Sequence, residues 1–285
     1  MRLDELRELA LRLLSENRAY PPGIHILQRE APSSIEAVIY RPVICLILQG
    51  AKEVTIGNKT VCARTGDALL VSHDLPVVSK ITEASQDKPY LALILEIDLA
   101  AIRGLYEQLG DTLENVPDAR SLSRQAADPA WMEPLQRYLR LAGSQLDLTV
   151  VGPLTLREIH YRLLLSPIGG MLRNLLKVDS HASRIAKAIL HIRSGFRQPL
   201  AIETLARMVG MSTSSFHSHF KSVTGTSPLQ YQKDLRLIEA QSLLQGGQHS
   251  VASASFEVGY ESPTHFSRDF ARKFGVPPSR ALAAA

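Results

Sequence analysis

The feature that most constrains this chain is a pattern that occurs twice near its end. "VGMSTSSFHSHFKSVTGTSP", from Val209, and "VGYESPTHFSRDFARKFGVPP", from Val258, share a valine–glycine pair, a serine, two phenylalanines four residues apart, a glycine and a proline. The second copy has one extra residue before its serine. Each element has a mechanical reason. Glycine at 210 and 259 supplies the left-handed residue that ends a helix and turns the chain sharply. Ser212 and Ser262 then cap the next helix by accepting from its free amides. Phe216 with Phe220, and Phe266 with Phe270, lie one turn apart and pin one edge of that helix. Helix, sharp turn and capped helix make a helix-turn-helix, whose second helix enters the DNA major groove.

With the phenylalanines buried, the outward positions of the first such helix are Thr213, Ser214, His217, Ser218 and Lys221. Those of the second are Thr264, His265, Ser267, Arg268 and Ala271. Small polar side chains there let backbone and base edges approach each other. Arg268 is the strongest single candidate, because a guanidinium grips guanine O6 and N7 in a bidentate fork. His217 can donate to a base acceptor or to phosphate. Lys221, Lys273 and Arg280, nearer the helix ends, are expected on the DNA backbone together with Thr213. Between the copies, Ser227 to Leu244 reads as an amphipathic helix ~27 Å long. That length predicts two reading helices about one DNA turn apart, roughly 34 Å.

Charge agrees with this division. Residues 1–180 carry 20 Lys+Arg against 22 Asp+Glu, whereas residues 181–285 carry 12 against 6 and six of the nine histidines. A basic terminal domain on a neutral one is the layout of a nucleic-acid reader with a separate sensor or assembly part.

The neutral part has two textures. Residues 1–20 read as an amphipathic helix stopped by "YPPG", and the acidic residues inside its apolar pattern break the uninterrupted run a secretory signal needs. From Ile24 to about Ile97, short Val/Ile/Leu runs alternate with turn residues, which argues for a small antiparallel barrel or sandwich. From Leu99 the period becomes helical, with "LAAIRGLYEQLG", "PAWMEPLQRYLRLAG" and "GPLTLREIHYRLLLSPIGGMLRNLL", the last interrupted by "SPIGG". Its stripe of Leu156, Ile159, Leu163 and Leu164 is wide for a surface helix, which implies burial against the barrel or a partner subunit, the partner subunit being favoured. The polar stretch Lys177 to Ser183 reads as the interdomain connection. Cys45 and Cys62 sit in strand-like text without metal-ligand spacing and read as buried small hydrophobes in a cytoplasmic protein.

Taken together, "PLAIETLARMVGMSTSSFHSHFKSVTGTSPLQYQKDLRLIEAQSLL" and "VASASFEVGYESPTHFSRDFARKFGVPPSR" closely resemble the DNA-binding domain of the AraC/XylS family of bacterial transcription regulators. The resemblance implies base contacts at Ser214, His217 and Ser218 in the first unit, and at Thr264, His265, Ser267 and Arg268 in the second. "LILQGAKEVTIGNK", "ALLVSHDLPV" and "ITEASQDKPYLALILEID" look like the family's cupin-type N-terminal domain, and "REIHYRLLLSPIG" is similar to its dimerisation helices. The implied fold is α+β and multidomain: an N-terminal helix or arm (1–23), a cupin-like β-barrel sensor (24–100), a helical dimerisation or packing region (101–178) and an all-α double helix-turn-helix domain (179–285). The implied partners are promoter DNA, a second copy of the chain, a small effector and, for an activator, RNA polymerase, with no membrane and no cofactor. A metal-dependent cupin enzyme needs a facial triad of two histidines and a carboxylate. The segment after Gly50 has no histidine, and the barrel text offers only His25 and His73, so no metal site is expected.

Overall fold

The computed structural model describes residues 3–16, 19–109, 112–113, 120–177 and 179–282. Residues 1–2 and 17–18 of the expected arm, and Val178 in the expected connection, lie outside them. Helix α1 (Leu3–Ser15) precedes eight strands: β1 (Ile24–Arg29), β2 (Glu36–Tyr40), β3 (Val43–Gln49), β4 (Ala51–Ile56), β5 (Lys59–Arg64), β6 (Asp67–Val71), β7 (Leu75–Glu83) and β8 (Tyr90–Glu96). After α2 (Leu99–Leu109) comes a ninth strand, β9 (Leu122–Ala126). The strands form two antiparallel sheets, one ordered β1-β8-β3-β6-β9 and the other β2-β7-β4-β5. They pack as a β-sandwich.

The five-stranded sheet explains the unbroken apolar run "VICLIL". In β3, alternate residues point to opposite faces, yet Ile44 to Leu48 are all buried. Ile47 belongs to the core between the sheets, with Val54, Leu69 and Val77. Ile44, Leu46 and Leu48 instead meet a layer of helices: α1, α3 (Pro129–Arg140) and α5 (Gly152–Leu165). A sheet covered on both faces needs apolar residues at every position.

That helical layer answers the question raised by the α5 stripe. Ile159, Leu163 and Leu164 are fully buried within the same chain, beside Trp131, Leu135 and Leu139 of α3, and Leu156 packs at the edge of that cluster. The expected partner-subunit cover is therefore replaced by α3. What α4 (Gln145–Val150) and the start of α5 leave exposed is a different apolar set, Leu146, Val150 and Leu154. Strand β9 also corrects the expectation that the sheet ends near residue 100. It pairs with β6 from Asp67–Ala126 to Val71–Leu122 and forms the edge of the sheet.

A 3-10 turn at Pro167–Gly169 and α6 (Gly170–Leu176) lead to the C-terminal helices. These are α7 (His181–Ser194), α8 (Ile202–Met208), α9 (Thr213–Thr224), α10 (Pro228–Gln245), α11 (Val251–Glu257), α12 (Pro263–Phe274) and α13 (Pro278–Leu282).

Candidate nucleic-acid interface

The two copies of the repeat fold into two copies of one device, α8–α9 and α11–α12. Gly210 and Gly259 adopt φ of 65° and 87°, a region that costs a side-chain-bearing residue strain. In each turn the glycine amide and the next one bond back to the preceding helix: Gly210 to Arg207 and Met211 to Ala206, then Gly259 to Phe256 and Tyr260 to Ser255, all at 2.9–3.0 Å. Ser212 caps α9 by accepting from the Ser215 amide, and Ser262 caps α12 by accepting from that of His265. Left-handed glycines, Gly225 and Gly275, close both helices.

The aromatic pins sit as the spacing requires. Phe216, Phe220, Phe266 and Phe270 are all completely buried. The ring pairs Phe216–Phe220 and Phe266–Phe270 are 5.6 and 5.5 Å apart, and Phe220 also meets Tyr231 of α10 edge-on. Pinning that edge leaves Thr213, Ser214, His217, Ser218 and Lys221 exposed on α9. On α12 it leaves Thr264, His265 and Arg268 exposed and Ser267 half-buried. Arg280 of α13 is exposed as well. His219 stacks on His181 of α7, with ring centroids 3.6 Å apart, and takes no part in the exposed face.

Lys273 departs from the expectation of a phosphate contact. Its ammonium donates to Asp234 of α10 at 2.8 Å, and both side chains are nearly buried. Beside it, Asp269 of α12 accepts from Lys233 at 3.0 Å and from Arg272 at 2.7 Å. The Lys273–Asp234 and Lys233–Asp269 pairs fasten the second reading helix to the connecting helix, and Arg272–Asp269 is a bridge within α12. Arg236 of α10 adds a second fastening, donating to the carbonyls of Phe196 and Gly259. It thereby ties the segment after α7 to the turn of the second unit. None of these roles is visible in a local pattern, since Asp234 and Lys273 are 39 residues apart.

The first unit is held differently. The Val223 carbonyl, in the last turn of α9 where the helix itself offers no donor, accepts from both the Ser121 hydroxyl at 2.5 Å and the Ser121 amide at 3.2 Å. A Cβ on Gly57, in the β4–β5 turn, would lie 2.9 Å from the Gly225 carbonyl oxygen. Arg193 of α7 pairs with Asp74, and the Tyr231 hydroxyl donates to the Asp74 carbonyl at 2.7 Å. Sandwich residues therefore clasp the end of the first reading helix.

Inside the sandwich, a cavity of about 290 Å³ is lined mainly by apolar residues of β2, β3 and β7, with Lys52 at its wall. Lys52 is 6% exposed, and its ammonium donates to the Tyr40 hydroxyl at 2.7 Å. Burial pulls its pKa down more than any other single influence, but Tyr40, Cys45 and Glu36 together push it up.

Residues 21–171 match the N-terminal domain of AraC-type transcriptional regulators, and residues 205–284 match a helix-turn-helix domain. The first match alone covers more than half of the sequence. The chain is an AraC-type transcriptional regulator. Relatives of this AraC-type chain include the transcriptional regulator ExsA of Pseudomonas aeruginosa, 24% identical over 243 residues, covering 83% of this chain and 84% of ExsA. The transcriptional activator RhaS of Escherichia fergusonii is 31% identical over 123 residues, 43% of this chain and 44% of RhaS. Among solved structures, ToxT from Vibrio cholerae O395 shares the fold with a TM-score of 0.54 at 12% identity, over 91% of this chain and 96% of that one. ToxT of strain SCE256, solved with an unsaturated fatty acid bound, gives 0.50 at 15% identity, over 93% and 96%. As an AraC-type regulator the chain binds DNA through its C-terminal helices and carries an N-terminal effector or dimerisation domain. No helix among the described residues is long and apolar enough to cross a membrane.

Proposed function

We propose that α9 and α12 read two successive major grooves of promoter DNA. In this reading Ser214, His217 and Ser218 contact bases from the first unit, and Thr264, His265, Ser267 and Arg268 contact them from the second. Thr213, Lys221 and Arg280 hold phosphates. The observation that carries the reading is the repeated geometry: two capped helices with buried phenylalanine pairs, each turning a small polar edge outward. The connecting helix α10 has 18 residues, or about 27 Å, which suits a spacing of roughly one DNA turn.

The N-terminal sandwich binds a small effector, and two chains associate through the exposed Leu146, Val150 and Leu154, an apolar set on adjoining helices that water covers poorly. The protein acts in the cytoplasm, and as an activator it would engage RNA polymerase. Gel-shift titration against genomic fragments, followed by footprinting, tests the DNA reading. Tight binding to a few fragments with two protected stretches is expected, and uniform weak binding that ignores sequence contradicts it. Sedimentation of Leu154→Glu tests the association, which this change is expected to abolish.

A further inference from the structure

Two reading helices serve one stretch of duplex only if both their separation and their relative rotation are set. A single connecting helix sets the separation, and a second point of attachment is needed to stop each unit pivoting about its junction with α10. The connection between α7 and α8 supplies one. Gln232 and Arg236, one turn apart and so on one face of α10, grip its backbone. Gln232 Nε2 donates to the carbonyls of Phe196 at 2.9 Å and Gln198 at 2.6 Å. Arg236 donates through Nε to the Phe196 carbonyl at 2.7 Å, and through Nη2 to those of Arg197 and Gln198 at 3.1 and 3.0 Å. Its remaining arm, Nη1, donates to the Gly259 carbonyl in the turn of the second unit, at 2.8 Å. One planar fork therefore holds the segment that leads into the first unit and the turn of the second.

The glycine of the second turn meets this connection, unlike its counterpart in the first. A Cβ on Gly259 would lie 2.0 Å from the Arg197 carbonyl oxygen, whereas one on Gly210 would meet only a guanidinium nitrogen of Arg184, at 3.5 Å. A left-handed φ accounts for glycine at both positions. Only at 259 does the missing side chain also leave the space through which another segment approaches. On one side of the joint, Phe196 packs against the cluster that holds Phe216 and Phe220. On the other, the Arg236 guanidinium lies 6.0 Å from the Tyr260 ring centroid, and Tyr260 meets Phe266 edge-on at 5.4 Å. A chain of contacts thus runs from the pins of α9 through Arg236 to the pins of α12. Arg197 also reaches Glu239 of α10 and Glu257 of α11, at exposed positions that add little.

We infer, building on the two-groove reading above, that Arg236 is a positioning residue that touches no DNA and sets the spacing of half-sites this chain accepts. It does so by joining the Phe196–Gln198 connection to the Gly259 turn. One base pair more or fewer between the half-sites moves the second groove by about 3.4 Å and turns it by about 35°. The joint opposes that turn, so the chain discriminates operators by spacing as well as by base sequence.

Affinity of the full-length protein is measured by competition gel shift on the footprinted promoter fragment. The fragment is used unchanged, with one base pair inserted or deleted between its two protected stretches, and with either stretch scrambled. Wild type is expected to lose about tenfold or more on insertion and on deletion, the scale of one or two lost base contacts. Arg236→Gln should bind each half-scrambled fragment as wild type does, because both units are intact. Its ratio of unchanged to inserted affinity should fall about threefold or more, the scale of coupling within one hydrogen-bond network. Arg236→Lys should follow Arg236→Gln, since an ammonium keeps the charge and loses the fork. Gln232→Leu, which removes two bonds on the connection and leaves Arg236 in place, should lower the ratio less. A merely destabilised domain would weaken every fragment in proportion and leave the ratio alone. Wild type indifferent to the inserted base pair overturns the proposal without any variant. So does a wild-type ratio in Arg236→Lys or in Arg236→Gln, or in Gln232→Leu should the arginine variants not fold. Sequence-specific binding at two turns with no spacing preference refutes this proposal alone, whereas binding that ignores sequence, or protection confined to one turn, refutes the two-groove reading.

Discussion

The two helix-turn-helix units share one sequence pattern and one local geometry, yet they are embedded differently. Phe216 and Phe220 of the first belong to a cluster that runs without a break into the sandwich interior, through Val77 and Ile47. Phe266 and Phe270 of the second sit in a smaller cluster with α10, α11 and α13, touching the sandwich only at β2 and β7. The first unit is clasped at its end by Ser121 and crowded by Gly57. The second is fastened to the connecting helix by Lys273–Asp234 and Lys233–Asp269. A repeat specifies how each unit closes on itself, and the residues outside the repeat decide what that unit answers to. Here the first unit is packed into the N-terminal domain, and the second, which carries Arg268, is held mainly by the neighbouring C-terminal helices.

The largest test of that contrast is truncation of an aromatic pin. Phe220→Ala and Phe270→Ala should each cost about 3–5 kcal/mol. Phe220→Ala is expected to lower the melting temperature seen by Trp131 fluorescence, which reports the N-terminal half, together with that seen by helical circular dichroism. Phe270→Ala should lower the circular dichroism transition and leave the Trp131 transition near wild type. Identical behaviour of the two variants breaks the contrast.

Acid should loosen the clasp of the first unit, because His73 Nε2 meets Ser121 Oγ at 2.7 Å and burial pushes its imidazole down to about 4. Above pH 6.5 neither folded nor unfolded His73 holds the proton. As pH falls from 6.5 toward the folded value of about 4, the unfolded chain binds a proton that the native state refuses, so stability drops by about 3 kcal/mol and then levels. Urea unfolding at pH 7.5 and 4.5 measures this, and His73→Gln should flatten most of the difference.

Readout should divide by unit and by residue type. Arg268→Ala is expected to cost about 1–3 kcal/mol at one base pair and to relax preference there, whereas Lys221→Ala weakens all sequences alike and lowers the salt slope by about 1. Competition gel shifts with single-base variants at two salt concentrations separate them. Ser121→Ala tests the clasp itself. It removes one of two donors on the Val223 carbonyl and the partner of the buried His73 Nε2, and should cost about 1–3 kcal/mol, seen as faster amide exchange in the last turn of α9 and none in α12.

What the sequence made legible was local. Caps, turn glycines and aromatic pins act within one or two turns, so Ser212, Gly225 and Phe216 disclose their roles by spacing alone. The stripe of α5 was legible as a buried face, but amphipathicity reports that a face is covered and not by what, and α3 proved to be the cover. Strand β9 was hidden because an edge strand with exposed side chains, "LSRQA", lacks an apolar alternation. The Ser121–Val223 clasp spans 102 residues and the Lys273–Asp234 pair 39. Lys273 therefore read as a free cation on a basic helix until its partner came into contact.

Hydroxyl-radical footprinting of the full-length protein on its promoter fragment tests the central claim most directly. Two protected stretches about one helical turn apart are expected, with Arg268→Ala altering base preference in only one of them. Protection confined to a single turn, or an Arg268→Ala footprint and preference indistinguishable from wild type, would contradict it.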